Sequence, residues 1–129
     1  MARHILVIDD YQYLLYLLRS LLEDEHYRVS VISRGSDAYE RIRENPPDLV
    51  ILDLKLGDTS GVDILEALRS QESTANIPIL IYTAAFLEAD SVSKLIAGNP
   101  ARYRNVSVLR KPFDVDVLLE RVGQMIEAH

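Results

Sequence analysis

The sequence lacks cysteine, and its 129 residues contain no apolar run near the ~18 residues that a membrane-spanning helix needs. Without cysteine there are no disulfides and no thiolate chemistry, which fits a reducing compartment such as the cytoplasm. The N-terminal residues lead directly into a strand-like run, so the sequence shows no signal-peptide layout. These absences predict a cytoplasmic chain that does not bind a membrane.

Acidic residues outnumber basic residues in this chain. The chain has 14 Lys and Arg against 20 Asp and Glu, a net charge of -6. This balance argues against direct binding of nucleic acid and is compatible with a site that gathers carboxylates around a cation. Hydrophobic residues make up 48% of the chain, enough for the core of one compact domain. We therefore expect a single domain over residues 1–129.

The segment from Leu49 to Leu54 contains four consecutive apolar residues and then a carboxylate, Asp53. A continuous apolar run of this length indicates a strand that is buried on both faces, as in a parallel sheet. A Pro-Pro pair precedes it, and Gly57 marks the loop that follows. Asp53 would then lie at the carboxyl end of a central strand, where ligands collect in open α/β sheets.

Strand-like and helix-like segments alternate along the rest of the chain. Further strands are predicted at His4–Ile8, Tyr27–Ser33, Ile77–Tyr82 and Val106–Leu109. The strand over residues 27–33 is expected at an edge of the sheet. Helices are predicted at Gln12–Glu25, Asp37–Glu44, Val62 to about Gln71, Phe86–Ala97 and Val115–Ile126. Gly98 is expected to cap the fourth helix, and 101–105 to form a polar loop.

Apolar spacing predicts which side chains of three helices face the core. In the first helix these are Leu14, Leu17, Leu18, Leu21 and Leu22; in the second, Ala38 and Ile42; in the last, Val115, Leu118, Leu119, Val122 and Ile126. Tyr13, Leu15 and Tyr16 fall outside the first stripe. Strands and helices that alternate in this way favour an α/β fold, with a parallel sheet, right-handed crossovers and helices on both faces.

Polar residues stand at the carboxyl ends of four predicted strands: Asp9 and Asp10, Asp53, Thr83, and Lys111. In a parallel sheet these ends share one rim, so the side chains should converge. Three carboxylates need a counter-charge, which a hard divalent cation such as Mg²⁺ and one lysine would supply. A hydroxyl and an ammonium beside them suit a bound phosphoryl group.

Each of these residues alone has a plainer interpretation. An Asp pair after a strand is commonly a helix cap, Asp53 could cap the next loop, Thr83 could be structural, and Lys111 a surface charge. The joint pattern at one end of different strands favours the functional interpretation.

These residues resemble a response-regulator receiver domain of two-component signalling. The resemblance covers essentially the whole chain and rests on Val7-Ile8-Asp9-Asp10, Asp48–Leu54, Gly61, Thr83-Ala84 and Lys111-Pro112-Phe113. It implies a doubly wound, flavodoxin-like, five-stranded parallel sheet with strand order 2-1-3-4-5.

The resemblance also implies a function. Asp53 would accept a phosphoryl group from a phosphohistidine of a histidine kinase or phosphotransfer protein, and the domain would act as a switch in a phosphorelay. It would not be an enzyme beyond slow self-dephosphorylation, and it could address an effector protein or a second copy of itself.

Roles follow for single residues by the same resemblance. Asp10, Asp53 and the backbone carbonyl of Lys55 would hold Mg²⁺, with Asp9 assisting through water. Thr83 and the Ala84 amide would bind phosphoryl oxygens, and Lys111 would pair with the phosphate. Lys55 and Ala85 would tune dephosphorylation, and the Lys111-Pro112 bond would be cis.

Three positions depart from the family pattern. Gly57 stands where a proline is common, which predicts a more mobile loop. Lys111 follows Gly98 by thirteen residues, about six more than usual, which predicts an insertion before the last strand. Val108 replaces the usual switch aromatic, and Tyr103 is expected to be surface decoration rather than its substitute.

Val108 suggests that output is read on another face, such as the first helix with its apolar Tyr13, Leu15 and Tyr16. That patch could also serve donor recognition, or could be ordinary exposed hydrophobic surface.

Other functions fit less well. A haloacid-dehalogenase-like phosphatase would need an Asp-x-Asp nucleophile on the first strand, and a degenerate receiver would lack the intact acidic set. Dinucleotide binding would need a glycine-rich turn after the first strand. Whether the chain works alone or belongs to a longer protein stays open.

Overall fold

The computed structural model describes residues 2–112 and 114–127, so Phe113, quoted above as part of a motif, lies outside the described residues. The strands are β1 His4–Ile8, β2 Arg28–Ile32, β3 Leu49–Leu52, β4 Ile79–Thr83 and β5 Val106–Arg110. The helices are α1 Gln12–Asp24, α2 Ala38–Glu44, α3 Gly61–Ser70, α4 Phe86–Gly98 and α5 Val115–Glu127. A short 3₁₀ turn, Gly35–Asp37, precedes α2. Each predicted element is present, with boundaries within two residues.

The five strands form one parallel sheet in the order β2-β1-β3-β4-β5, as the resemblance implied. The three central strands are buried along their whole length, because each has a layer of helices on both faces. β2, the predicted edge strand, is less buried: Arg28 is exposed, and only Val29 and Ile32 are buried. The carboxyl ends of all five strands therefore lie along one rim.

Alternate residues of the central strands enter two separate hydrophobic clusters. In β1, Leu6 and Ile8 pack with α2, α3 and α4, whereas Ile5 and Val7 pack with α1 and α5. This division follows from the two-residue period of a strand, which points neighbouring side chains to opposite faces. The helices thus lie two on one face and three on the other.

Three expectations for the helices need correction. In α1, Leu15 is buried at 3% exposure although it was placed outside the stripe, and Leu17 is 37% exposed although it was placed inside. The stripe that faces the core is Leu15, Leu18 and Leu22, because β2 and α5 approach α1 from that side. In α5, Val115 is exposed, since it lies at the first turn, before the helix meets the sheet.

The ends of the fourth helix and the loop after it also differ from expectation. Gly98 is the last helical residue, and the C-terminal cap is Asn99 rather than Gly98. Tyr103 is buried at 5% exposure in the core, not at the surface. Its hydroxyl donates to Glu66 of α3, so the longer connection folds back onto that helix.

Among the described residues, no helix has both the length and the apolar character that are needed to cross a bilayer.

Candidate functional site

The rim brings together the carboxylates that the sequence placed at strand ends. Asp9 and Asp10 follow β1, and Asp53 follows β3, directly beside it in the sheet. One oxygen from each of the three side chains lies within 4.8 Å of the others. Asp9 and Asp53 are buried, and Asp10 is exposed. Hard oxygen ligands this close together fit a divalent cation such as Mg²⁺.

Lys111 supplies positive charge at the centre of this cluster. Its Nζ donates to Asp9 Oδ2 at 2.9 Å and to Asp53 Oδ2 at 3.3 Å. Lys111 comes into reach because its own backbone N–H continues the sheet, donating to the Thr83 carbonyl at 2.8 Å. The Lys111-Pro112 bond is cis, as the resemblance implied. One ammonium thus contacts two of the three carboxylates, which leaves the cluster with net negative charge.

Burial sets the electrostatics of Asp9. Desolvation raises the pKa of Asp9, while the Tyr11 N–H and Lys111, both donating to the carboxylate, lower it in part. Burial thus outweighs the hydrogen bonds, and the pKa of Asp9 lies above its ordinary value.

Thr83 ends β4 on the same rim, and its hydroxyl already has a backbone partner. The Ala85 N–H donates to Thr83 Oγ1 at 3.0 Å, just before α4 begins. A hydroxyl oxygen that accepts one hydrogen bond can still donate its own proton. Ala84, next in sequence, is exposed at the rim.

The loop after Asp53 forms hydrogen bonds with Asp10 and with the 3₁₀ turn. The Gly57 N–H donates to Asp10 Oδ2 at 3.0 Å, and Asp58 accepts from the Gly35 and Ser36 amides at 3.0 and 2.9 Å. Lys55, which was expected to offer its carbonyl to Mg²⁺, lies in this loop and donates its N–H to Asp53 Oδ1 at 3.4 Å.

Gly61 lets α3 begin against the backbone that carries Asp53. A Cβ at this position would lie 2.2 Å from the Asp53 carbonyl oxygen and 2.6 Å from Leu54 Cα. The Gly61 N–H donates to the Leu54 carbonyl at 2.8 Å, which fixes this close approach. A glycine is therefore required at position 61 because any Cβ would clash with the neighbouring backbone.

Tyr82 is a neighbour of the site that the sequence analysis missed. The Lys111 Nζ lies 4.7 Å from the centre of the Tyr82 ring, a cation–π distance. Burial and, secondarily, the charges of Asp9 and Asp53 raise the pKa of Tyr82 to about 12. The sequence signal that could have identified Tyr82 is that it is an aromatic residue in an otherwise aliphatic strand.

Comparison with known proteins agrees with this architecture. The family model of the response regulator receiver domain matches residues 5–123. The chain is 36% identical over 126 residues to the phosphate regulon transcriptional regulatory protein PhoB of Rhizobium meliloti (strain 1021), covering 98% of the chain and 53% of that relative. It is 37% identical over 118 residues to the transcriptional regulatory protein KdpE of Mycobacterium tuberculosis (strain CDC 1551 / Oshkosh), covering 92% and 48%. The chain thus spans about half the length of the curated relatives it matches.

A solved structure shows the same fold. The receiver domain of the Francisella response regulator 1452 superimposes with a TM-score of 0.81 at 25% identity, covering 98% of each chain. The family match runs from β1 into α5 and so includes every element that carries a rim residue. On this evidence, the chain belongs to the response regulator receiver domains of two-component systems.

Proposed function

We propose that the domain is a phosphoacceptor switch whose acceptor is Asp53. A histidine kinase or a histidine phosphotransfer protein would be the donor. A carboxylate oxygen of Asp53 attacks phosphorus, the N–P bond breaks, and the imidazole leaves with the electron pair of that bond and takes up a proton. The observation that carries this proposal is the Lys111 ammonium, within hydrogen-bonding distance of Asp53 and Asp9.

The residues around Asp53 have separate tasks in this proposal. Lys111 pairs with the added phosphoryl group and so offsets the charge that the transfer brings in. The Thr83 hydroxyl and the Ala84 amide bind phosphoryl oxygens. Lys55, two residues past Asp53, and Ala85, two past Thr83, flank the site and would tune the loss of the phosphoryl group. Beyond accepting the phosphoryl group, the domain would catalyse at most its own slow dephosphorylation.

The donor set fits Mg²⁺, which prefers carboxylate and carbonyl oxygens and welcomes a phosphate oxygen. Asp10, Asp53 and the Lys55 carbonyl would hold it, with Asp9 assisting through water. Bound Mg²⁺ would neutralise charge on the phosphoryl oxygens. The cluster of three carboxylate oxygens within 4.8 Å supports this assignment.

The direct test is incubation with acetyl phosphate, with and without Mg²⁺, followed by intact-mass analysis. Wild type should gain one phosphoryl group only with Mg²⁺. Asp53→Asn should gain none, while Asp63→Asn, a matched change at an exposed position of α3, should still be phosphorylated. Phosphorylation of Asp53→Asn to the wild-type extent would exclude Asp53 as the acceptor.

The route from phosphorylation to output differs in one respect from the usual receiver. Val108 is half-buried against the core, and a valine cannot move between buried and exposed positions as a ring does. We therefore propose that partners read another face. The exposed tyrosines of α1 support this proposal, since Tyr13 and Tyr16 are 65% and 73% exposed and the Tyr11 ring lies beside that of Tyr13.

We also propose that residues 1–129 form one functional unit. The residues form one sheet with both of its helix layers, which supports 1–129 as a single receiver domain. Effector proteins or a second copy of the chain are the partners that such a unit would address.

A further inference from the structure

Asp10 accepts a hydrogen bond from the loop after Asp53 and, among the described residues, forms no ion pair with Lys111. Within the described part of the chain, Lys111 pairs with Asp9 and Asp53. Asp10 instead accepts the backbone N–H of Gly57 at 3.0 Å, across 47 positions of sequence. An exposed carboxylate that is free to rotate would sample several orientations, and this bond selects one of them.

The position of the Gly57 amide is itself fixed by the next residue. Asp58 accepts two amides at the beginning of the 3₁₀ turn, from Gly35 and Ser36. These donors, the Ser36 amide first, lower the pKa of Asp58 to about 2, so the anchor stays ionised at neutral pH.

Close packing holds the same loop from its other side. A Cβ on Gly35 would lie 2.3 Å from Thr59 Cγ2 and 2.7 Å from Leu56 Cδ1. The loop therefore has a defined location even though it contains a glycine.

We infer that Gly57 is a positioning residue for the metal site: its N–H holds Asp10 Oδ2 so that the carboxylate is already oriented for Mg²⁺. The inference rests on the proposed Mg²⁺ site and assigns a reason to the absence of proline at this position. A proline has no N–H and could not make the bond. Partners that orient a metal ligand commonly contribute ten- to a hundredfold in affinity.

Two substitutions at this position compare the presence and absence of the amide N–H while both add a Cβ. Gly57→Ala and Gly57→Pro both add a Cβ, which would lie 3.3 Å from Asp10 Oδ2, but only the alanine keeps the N–H. The dissociation constant for Mg²⁺ is measured on unphosphorylated protein by NMR titration with MgCl₂. We expect the proline variant to bind Mg²⁺ about tenfold more weakly than wild type, and the alanine variant to stay within about twofold of it.

Equal Mg²⁺ affinity of the alanine and proline variants would overturn this inference and leave the proposed phosphoacceptor function standing. If wild type itself bound no Mg²⁺, both would fall together. Thermal unfolding by circular dichroism shows whether each variant is folded.

A second measurement does not depend on the proline variant. The Gly57 amide should exchange with solvent more slowly in wild type than in Asp10→Ala, whose altered side chain is exposed. In a separate Mg²⁺ titration, Asp58→Ala should also bind Mg²⁺ more weakly than wild type. Identical exchange in wild type and Asp10→Ala would show that the Gly57–Asp10 bond does not form.

Discussion

Single side chains join distant parts of the sequence at the rim. Lys111 reaches Asp9 across 102 positions, and Asp58 reaches Gly35 across 23. Each contact is charge-assisted, and such hydrogen bonds are stronger than those between neutral groups. Their contribution therefore depends on the ionisation of the carboxylates, which can be tested by pH.

Asp58 gives a prediction with a defined sign. Its pKa falls from 3.8 to about 2 because of the amides it accepts, so the folded state favours the ionised form. The resulting stabilisation is fully present above about pH 4 and is lost as the pH falls toward 2. In urea unfolding, wild type should exceed Asp58→Asn in stability at pH 6. The difference should shrink toward zero near pH 2. A constant difference over this range would show that the charge of Asp58 has no part in it.

At this scale the sequence revealed the residues whose positions follow from strand order. Asp9, Asp53 and Lys111 were predictable because the carboxyl ends of parallel strands share an edge. Tyr82 was not, because its contact depends on where the Lys111 side chain turns after leaving β5. The Gly57 amide was missed for a similar reason, since a sequence shows side chains and not the direction of an N–H.

Among the elements, the longer connection before β5 is tied to α3 by a buried arginine. Arg69 is 5% exposed, and its guanidinium donates to the carbonyls of Thr74, Ile77 and Arg104. Burial lowers the pKa of Arg69 to about 10, so it remains charged at neutral pH. The connection is therefore anchored on α3 rather than mobile.

Removal of this anchor should destabilise the domain. Arg69→Ala would leave carbonyls without their donor, and we expect a loss of about 3 kcal/mol in the free energy of unfolding. Arg104→Ala is the matched control, since the Arg104 side chain is exposed and donates only to Asn76 in the described structure. It should change stability by less than about 0.5 kcal/mol. Urea unfolding measures both, and equal losses would contradict the anchoring role of Arg69.

The exposed tyrosines of α1 lead to a second prediction at this scale. Tyr13→Gln/Tyr16→Gln should slow phosphoryl transfer from a phosphorylated donor protein while leaving the rate from acetyl phosphate unchanged. The reason is that both rings are available to a partner and absent from the core. Leu87→Gln/Leu95→Gln on α4 controls for loss of exposed apolar surface elsewhere. Transfer at the wild-type rate from the donor protein would remove α1 as a donor-binding face.

Element boundaries were predictable from periodicity, whereas the orientation of α1 was not. Its leucines continue over so much of the helix that two stripes satisfy the same spacing, and only the approach of β2 and α5 selects Leu15 over Leu17. Tyr103 was misplaced because a polar segment usually marks a surface loop. Its burial depends on Glu66, which lies 37 positions away.

Over the whole molecule, one sheet separates two hydrophobic clusters that share every central strand. Disruption of a central strand would therefore open both clusters at once, and we expect a single cooperative unfolding transition. Because the rim residues extend from these strands, an ion bound there should stabilise the entire domain.

This coupling can be measured with Mg²⁺. At about ten times its dissociation constant, Mg²⁺ should raise the free energy of unfolding by about 1.4 kcal/mol. Asp10→Asn should lose most of that gain. Without Mg²⁺ the same variant should be more stable than wild type by about 1 kcal/mol, because one of three close negative charges is gone. Glu72→Gln, in the turn after α3, should behave as wild type. An undiminished Mg²⁺ gain in Asp10→Asn would exclude Asp10 as a ligand.

The close approach at Gly61 sets a limit on how this sequence can drift. In a library with every amino acid at that position, only glycine should survive selection for a folded protein, since any larger residue would displace the backbone that carries Asp53. Gly123 is the contrast, with open space around it, where alanine should add about 0.5–1 kcal/mol of stability to α5. A position without any chemical group of its own is thus among the least replaceable in the chain.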